Sequence, residues 1–190
     1  MRDMMLITMV RHGQTDANFN RIIQGRIDNP LNQIGREQAH HVGSHLKSLN
    51  RHYDLMVSSQ LSRALETAQI IKSYMDTHKS ILINHHLVER EFGSLEEKPF
   101  EDAIFYIKTN PQNHLGYETD EKIINRVKKA IFHLYDLYPD KRLLIVAHSH
   151  VIKSMLVIVD PKTYSFSEHR LQNTEFYDFE VKDKMITLKK

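Results

Sequence analysis

Short apolar runs alternate along the chain with longer segments whose apolar residues recur at helical spacing. The first run, Leu6-Ile7-Thr8-Met9-Val10, predicts a buried strand and ends abruptly in Arg11-His12-Gly13-Gln14-Thr15. Residues 15–32 are polar and rich in turn formers, which predicts a long irregular loop. Residues 34–49 predict a helix whose buried face carries Ile34, Gln38, Val42, His45, Leu46 and Leu49. A second strand is expected over 53–58, followed by a hydroxyl-rich turn, Ser59-Gln60-Leu61-Ser62, that opens a helix with Arg63 in its first turn. A third strand over 81–86 leads into Leu87-Val88-Glu89-Arg90-Glu91-Phe92-Gly93. Helices are expected over 99–109 and 118–138, joined by a loop through Asn110-Pro111-Gln112-Asn113 and Gly116. Residues 143–147 form the most evidently buried strand, which empties into His148-Ser149-His150 ahead of a helix over about 151–159. Residues 175–180 and 185–189 predict a closing hairpin.

Strands alternating with helices imply an α/β fold, a three-layer sandwich with a mostly parallel central sheet and helices on both faces. No linker, repeat or low-complexity tract divides the sequence, so one domain is expected over 1–190. In such sheets ligands gather beyond the carboxyl ends of the strands. Arg11, His12, Arg63, Glu89 and His148 all lie just past those ends.

Composition narrows the function classes. With 41% apolar and 26% charged residues and a net charge of +2, the chain of 190 residues has an ordinary soluble balance. No block of lysine and arginine marks a nucleic-acid partner, since the basic end at Lys182, Lys184, Lys189 and Lys190 is broken by apolar residues. Absence of cysteine excludes disulfides and thiolate metal sites and fits a reducing cytoplasm. The apolar N-terminal stretch stops at Arg11 without a small-residue cleavage site, and residues 151–159 are too short to span a bilayer, so neither a leader nor a membrane anchor is expected. His41 and His45 are four apart on a helix but lack an evident third metal ligand.

The candidate chemistry is that of phosphate. Arg11 offers a planar donor fork for phosphate oxygens, Gly13 lets the backbone turn and approach a ligand, and His12 between them is a candidate nucleophile. Arg63 sits where the helix dipole disfavours a cation, which points to a ligand, with a salt bridge to Glu66 as the plainer alternative. Glu89 and Glu91 flank Arg90 at a strand exit, a plausible place for an acid/base group.

The ordered series Arg11-His12-Gly13-Gln14-Thr15, Gln24-Gly25, Asp28, Pro30-Leu31, Gly35, Ser58-Ser59, Arg63-Ala64, Thr67-Ala68, Leu87, Glu89, Phe92-Gly93 and Val146-Ala147-His148 resembles the histidine phosphatase superfamily, in its phosphoglycerate-mutase-like branch. The resemblance covers nearly the whole chain. It implies that His12 is phosphorylated, that Arg11, Arg63 and His148 surround the phosphoryl group, and that Glu89 handles the proton. It also implies that Asn18 contacts phosphate and that the Gly13 carbonyl fixes the His12 tautomer. Gln24, Gly25 and Ser149 complete the expected substrate contacts. Ser149 stands where the family often has glycine, and Leu95-Glu96-Glu97 replaces an aromatic-Glu-Gly pattern. A second carboxylate at Glu91 would favour a raised Glu89 pKa, and the arginines would oppose it.

The function expected on these grounds is hydrolysis of a small phosphomonoester without metal or cofactor. Cofactor-dependent phosphoglycerate mutase and a non-catalytic phosphate-binding module are the alternatives. No nucleic acid or membrane partner is expected, and the chain is read as a cytoplasmic monomer or homodimer. Residues 95–117 are expected to line the outer pocket, with Phe92, Phe100, Phe105 and Tyr106 offering apolar surface and Lys98 and Lys108 offering charge.

Overall fold

Strand β1 (Met4–Arg11) runs through the middle of a sheet and buries both of its faces. Its Met5, Ile7 and Met9 point to one apolar layer and Val10 to the other, the period-two pattern of a central strand. The computed structural model describes residues 4–75, 80–111 and 116–189. In chain order the further elements are α1 (Asp16–Phe19), α2 (Gln33–Ser48), β2 (Leu55–Ser58), α3 (Ser62–Lys72), β3 (Leu82–Ile83), α4 (Phe100–Thr109), α5 (Asp120–Leu137), β4 (Arg142–Ala147), α6 (Ser149–Val159), β5 (Phe176–Lys182) and β6 (Met185–Leu188). The strands form one six-stranded sheet in the order β3-β2-β4-β1-β5-β6. The pairs among β3, β2, β4 and β1 are parallel, and β5 and β6 continue antiparallel as the closing hairpin.

Helices cover both faces. Residues of α4, α5 and α6 join Leu143, Ile145 and Ala147 of β4 in one apolar layer, while α2 and α3 pack on Leu144 and Val146 in the other. This is the expected three-layer α/β sandwich. No helix among the described residues is long and apolar enough to cross a membrane.

Three local expectations are corrected. The loop after β1 contains the one-turn helix α1, held by a capping box in which Thr15 accepts from the Asn18 backbone and Asn18 from the Thr15 backbone. The third strand shrinks to Leu82–Ile83, because Asn84 caps a 3₁₀ turn over His85–Leu87 that ends the pairing with β2. Helix α2 buries Gly35, Ala39, Val42, Gly43 and Leu46, whereas Ile34 is 48% exposed and His45 also faces out. Small residues carry that face because the chain comes close: a side chain at Gly35 would meet the Gln14 carbonyl oxygen at 2.1 Å. Residues 112–115 of the expected α4–α5 loop, and Lys190, lie outside the described residues.

Candidate active site

The register of β1 and β4 places the two histidines. Arg11 pairs with Ala147 across the parallel ladder, so the next residues, His12 and His148, leave the sheet side by side. Their ring centroids are 5.2 Å apart, and both side chains are buried. The His12 amide closes the ladder by donating to the Ala147 carbonyl at 3.0 Å.

Nδ1 of His12 lies 2.7 Å from the carbonyl oxygen of Gly13. A carbonyl only accepts, so Nδ1 carries the proton and Nε2 keeps its lone pair. The Gly13 amide is held in turn by the Thr67 hydroxyl at 3.0 Å. Burial first, then the charge of Arg63, lowers the His12 pKa well below the usual imidazole value, so the ring is neutral at physiological pH. The absence of a side chain at Gly13 also serves packing: a Cβ there would meet the Gly35 carbonyl oxygen at 2.3 Å, so the glycine lets the loop lie against α2.

Arg63 is 1% exposed at the start of α3. Nη1 donates to the Ile27 carbonyl at 2.7 Å and Nη2 to the Gly25 carbonyl at 2.8 Å, while buried Nε has no partner. Its plainer alternative fails, because Glu66 pairs with Arg36 at 2.6 Å. Gly25, at φ +51°, turns its carbonyl toward Arg63 from a left-handed conformation, and a Cβ there would collide with the Glu96 carboxyl. Arg11 donates through Nη1 to the Leu171 carbonyl at 2.6 Å and leaves Nε without a partner. Burial, offset by Glu89 and reinforced by Arg63 and Arg170, brings its pKa down to about 10, which still leaves it charged.

Glu89 is 8% exposed. Its Oε1 accepts from the Arg90 amide at 2.9 Å and from the His150 amide, in the first turn of α6, at 3.1 Å. Burial by itself favours the neutral carboxyl. Hydrogen bonding and charge at His150, then His148 and the Arg90 amide, outweigh it and hold the pKa well below the usual carboxylate value. The expected influence of Glu91 is absent, since that carboxylate turns to Arg26 at 3.0 Å. The Arg126 guanidinium fixes the whole strand exit by donating to the carbonyls of His86, Val88 and Glu89.

These groups open onto a cleft of about 450 Å³ lined by Arg11, His12, Asn18, Gln24, Gly25, Arg63, Glu89 and Ser149 among others. His148 stands directly behind, its ring against that of His12. Oδ1 of Asn18 accepts from the Thr15 amide and from Asn173 Nδ2, both at 3.2 Å, which leaves the amide nitrogen for the cleft. Gln24 accepts from the Thr15 hydroxyl at 2.9 Å and is largely structural in its contacts. Of the expected outer-pocket residues, Phe92, Phe100 and Lys108 line the cleft; Phe105 faces solvent and Tyr106 packs on the core.

Sequence reasoning missed a whole wall. Phe166, Arg170, Leu171, Gln172 and Asn173, from the segment between α6 and β5, line the cleft together with His150 and Lys153 of α6. Phe166 stacks on the His150 ring at 12° and also meets the Arg90 guanidinium, 4.3 Å from its centroid. The signal available was the spacing Ser149, His150, Lys153, which puts three polar residues on one side of a mostly apolar helix.

The profile of the histidine phosphatase superfamily (branch 1) matches residues 7–190. The chain belongs to that superfamily. It is 34% identical over 171 residues to the phosphatase PhoE of Bacillus subtilis, itself uncharacterized, covering 90% of this chain and 85% of the relative. With phosphoglycerate mutase-like protein 4 of Arabidopsis thaliana it shares 31% identity over 162 residues, 78% of this chain and 68% of the relative. The crystal structure of phosphoglycerate mutase from Bacillus anthracis superposes with a TM-score of 0.85 at 20% identity, covering 99% and 92% of the two chains, which shows the shared fold.

Proposed function

We propose that the protein hydrolyses small phosphomonoesters through a phosphohistidine on His12, without a metal ion. The observation that carries this reading is the His12 Nδ1 to Gly13 carbonyl contact of 2.7 Å, in a ring that lines a cleft together with Arg11, Arg63 and Glu89. With Nδ1 committed, Nε2 is the nucleophile. It attacks phosphorus as the bond to the ester oxygen breaks, and negative charge on the equatorial oxygens meets the free Nε donors of Arg11 and Arg63 and the ring of His148. These groups supply the positive charge and hydrogen bonds that metal ions give other phosphoryl-transfer sites.

Glu89 gives a proton to the departing alkoxide, then takes one from the water that attacks phosphohistidine; inorganic phosphate leaves and His12 is regenerated. A carboxyl held ionised in the free protein must first be protonated. Binding a phosphate dianion beside it raises its pKa, and a substrate monoanion brings the proton with it.

The test is phosphate release from a panel of phosphomonoesters in chelator, by wild type and by His12→Ala. Release by wild type that vanishes in the variant is expected. Normal release by His12→Ala would overturn the nucleophile assignment. Phosphate exchange between monophosphates primed by a bisphosphate, with little free phosphate, would replace hydrolysis by mutase activity.

A further inference from the structure

Beyond the groups needed for phosphoryl transfer, the cleft carries a surplus of positive charge. Lys153, Lys108 and Arg170 line it together with Arg11 and Arg63, while Glu89 is the one carboxylate in its lining. Arg21 also lines the cleft but is already paired with Glu101 at 2.6 Å. Among the described residues no ion pair involves Lys153, Lys108 or Arg170.

Lys153 is the unusual member. It is 7% exposed, and one of its protons goes to the Phe166 carbonyl at 2.8 Å. A neutral donor would serve that carbonyl at lower cost, because burying an ammonium without a carboxylate partner is unfavourable. Burial brings the Lys153 pKa down to about 8, and Glu89, the charge that most opposes this, forms no ion pair with it. Ser149 and Lys153 are one turn apart on the same side of α6, so the backbone that carries Lys153 lies about 6 Å further along the helix than that of Ser149, and both side chains line the cleft. Phe92, Phe100, Ile104 and Ile107 line the same cleft and offer an apolar surface suited to a short carbon spacer.

We propose that Lys153, with Lys108 and Arg170 at the rim, forms a second anion subsite, and that the substrate is a phosphomonoester bearing a further anionic group, carboxylate or phosphate, a short carbon chain away. This rests on the phosphatase reading of the cleft, and the experiment separates the two. Binding of n-propylphosphonate, 3-phosphonopropanoate and propane-1,3-diphosphonate is measured by calorimetry on wild type, Lys153→Met and the rim double variant Lys108→Gln/Arg170→Gln. Phosphate release from n-propyl phosphate and 3-(phosphonooxy)propanoate is measured alongside.

In wild type at least one doubly anionic compound binds roughly tenfold or more tightly than n-propylphosphonate, the scale of hydrogen bonds to charged groups, and the tighter of the two identifies the anion. Most of that advantage disappears in Lys153→Met, and part of it in the double variant, whose changes lie at exposed positions and spare the fold. Equal affinity for all three compounds in wild type overturns the subsite, as does an advantage that survives both variants. Binding needs no turnover, so loss of the phosphatase reading shows separately, as failure to release phosphate from either ester.

Discussion

The Ser59 hydroxyl lies 2.8 Å from Nε2 of His148, and it also accepts the Leu61 amide at 3.3 Å. Among the described residues no other acceptor meets the hydroxyl proton, which we therefore assign to the contact with Nε2; His148 then carries its own proton on Nδ1, a buried atom with no protein partner. Burial, then Arg63, keeps the ring neutral. In the proposed mechanism, Ser59 would thereby present His148 as a hydrogen-bond donor to the phosphoryl group. Ser59→Ala is expected to lower kcat roughly tenfold with a smaller change in KM, on the scale of weakening one oriented donor. ¹⁵N shifts of the His148 ring provide the decisive readout: wild type shows the Nδ1-protonated tautomer, the alanine variant a mixture, and Ser59→Thr a return toward wild type. An Nε2-protonated ring in wild type would overturn the assignment.

Glu89 leads to a prediction about leaving groups and pH. Because its carboxylate is held below the usual range, the proton for the alkoxide arrives with the substrate, whose second ionisation lies near pH 6 for a phosphomonoester. For alkyl phosphates kcat/KM should fall as pH rises above about 6, while His12, also depressed, stays neutral well into acid. Glu89→Gln should slow alkyl phosphates by roughly 100-fold or more and aryl phosphates far less, since a phenolate needs little protonation. Equal losses on both substrate types would remove Glu89 from the acid role.

Much of this site was legible in the sequence because its members follow strands directly. Arg11, His12 and His148 each sit at or just past the end of β1 or β4, where the period-two apolar run stops, and Arg63 opposes the dipole of the helix it begins. The partners that tune them were not legible. Glu91, adjacent in sequence, turns away to Arg26, whereas His150, 61 residues distant, supplies the amide that holds Glu89. Such choices are made by the packing of α6 against the strand exit, which no spacing records. The wall at 166–173 was missed for a related reason: its segment has no regular periodicity and is tied down by scattered long-range contacts, among them those from Lys153 to Phe166, from Arg11 to Leu171 and from Asn173 to Asn18.

Gly13 couples packing to chemistry. Its missing side chain lets the loop lie on Gly35, and its carbonyl sets the His12 tautomer. Gly13→Ala sets a Cβ 2.3 Å from the Gly35 carbonyl oxygen, a backbone atom, so relief requires the loop itself to shift. A loss of about 1–3 kcal/mol in unfolding free energy is expected, together with a fall in kcat as the carbonyl moves off Nδ1. Denaturant unfolding and turnover measured on one preparation check both. Full activity at reduced stability would detach the carbonyl from the tautomer.

Acid stability follows from the same buried rings. His12, His148 and His150 all have depressed pKa values in the folded protein, His150 falling from 6.5 to about 4 through burial, with Glu89 only partly compensating. As pH drops below about 6.5 the unfolded chain takes up protons at these rings that the folded chain refuses, so stability decreases with falling pH. For His150 the window runs from about 6.5 to about 4, and its full loss amounts to about 3 kcal/mol at about 1.4 kcal/mol per unit. Glu89 acts in the same direction at lower pH: its folded pKa is depressed, so the stability it contributes is present above its unfolded value and lost as pH falls through the folded one. Urea midpoints should therefore decline from pH 7 to pH 5. His150→Phe, which keeps an aromatic ring against Phe166, should flatten the decline by about one proton's worth of slope. An unchanged slope in that variant would show that His150 is already protonated in the folded state over this range.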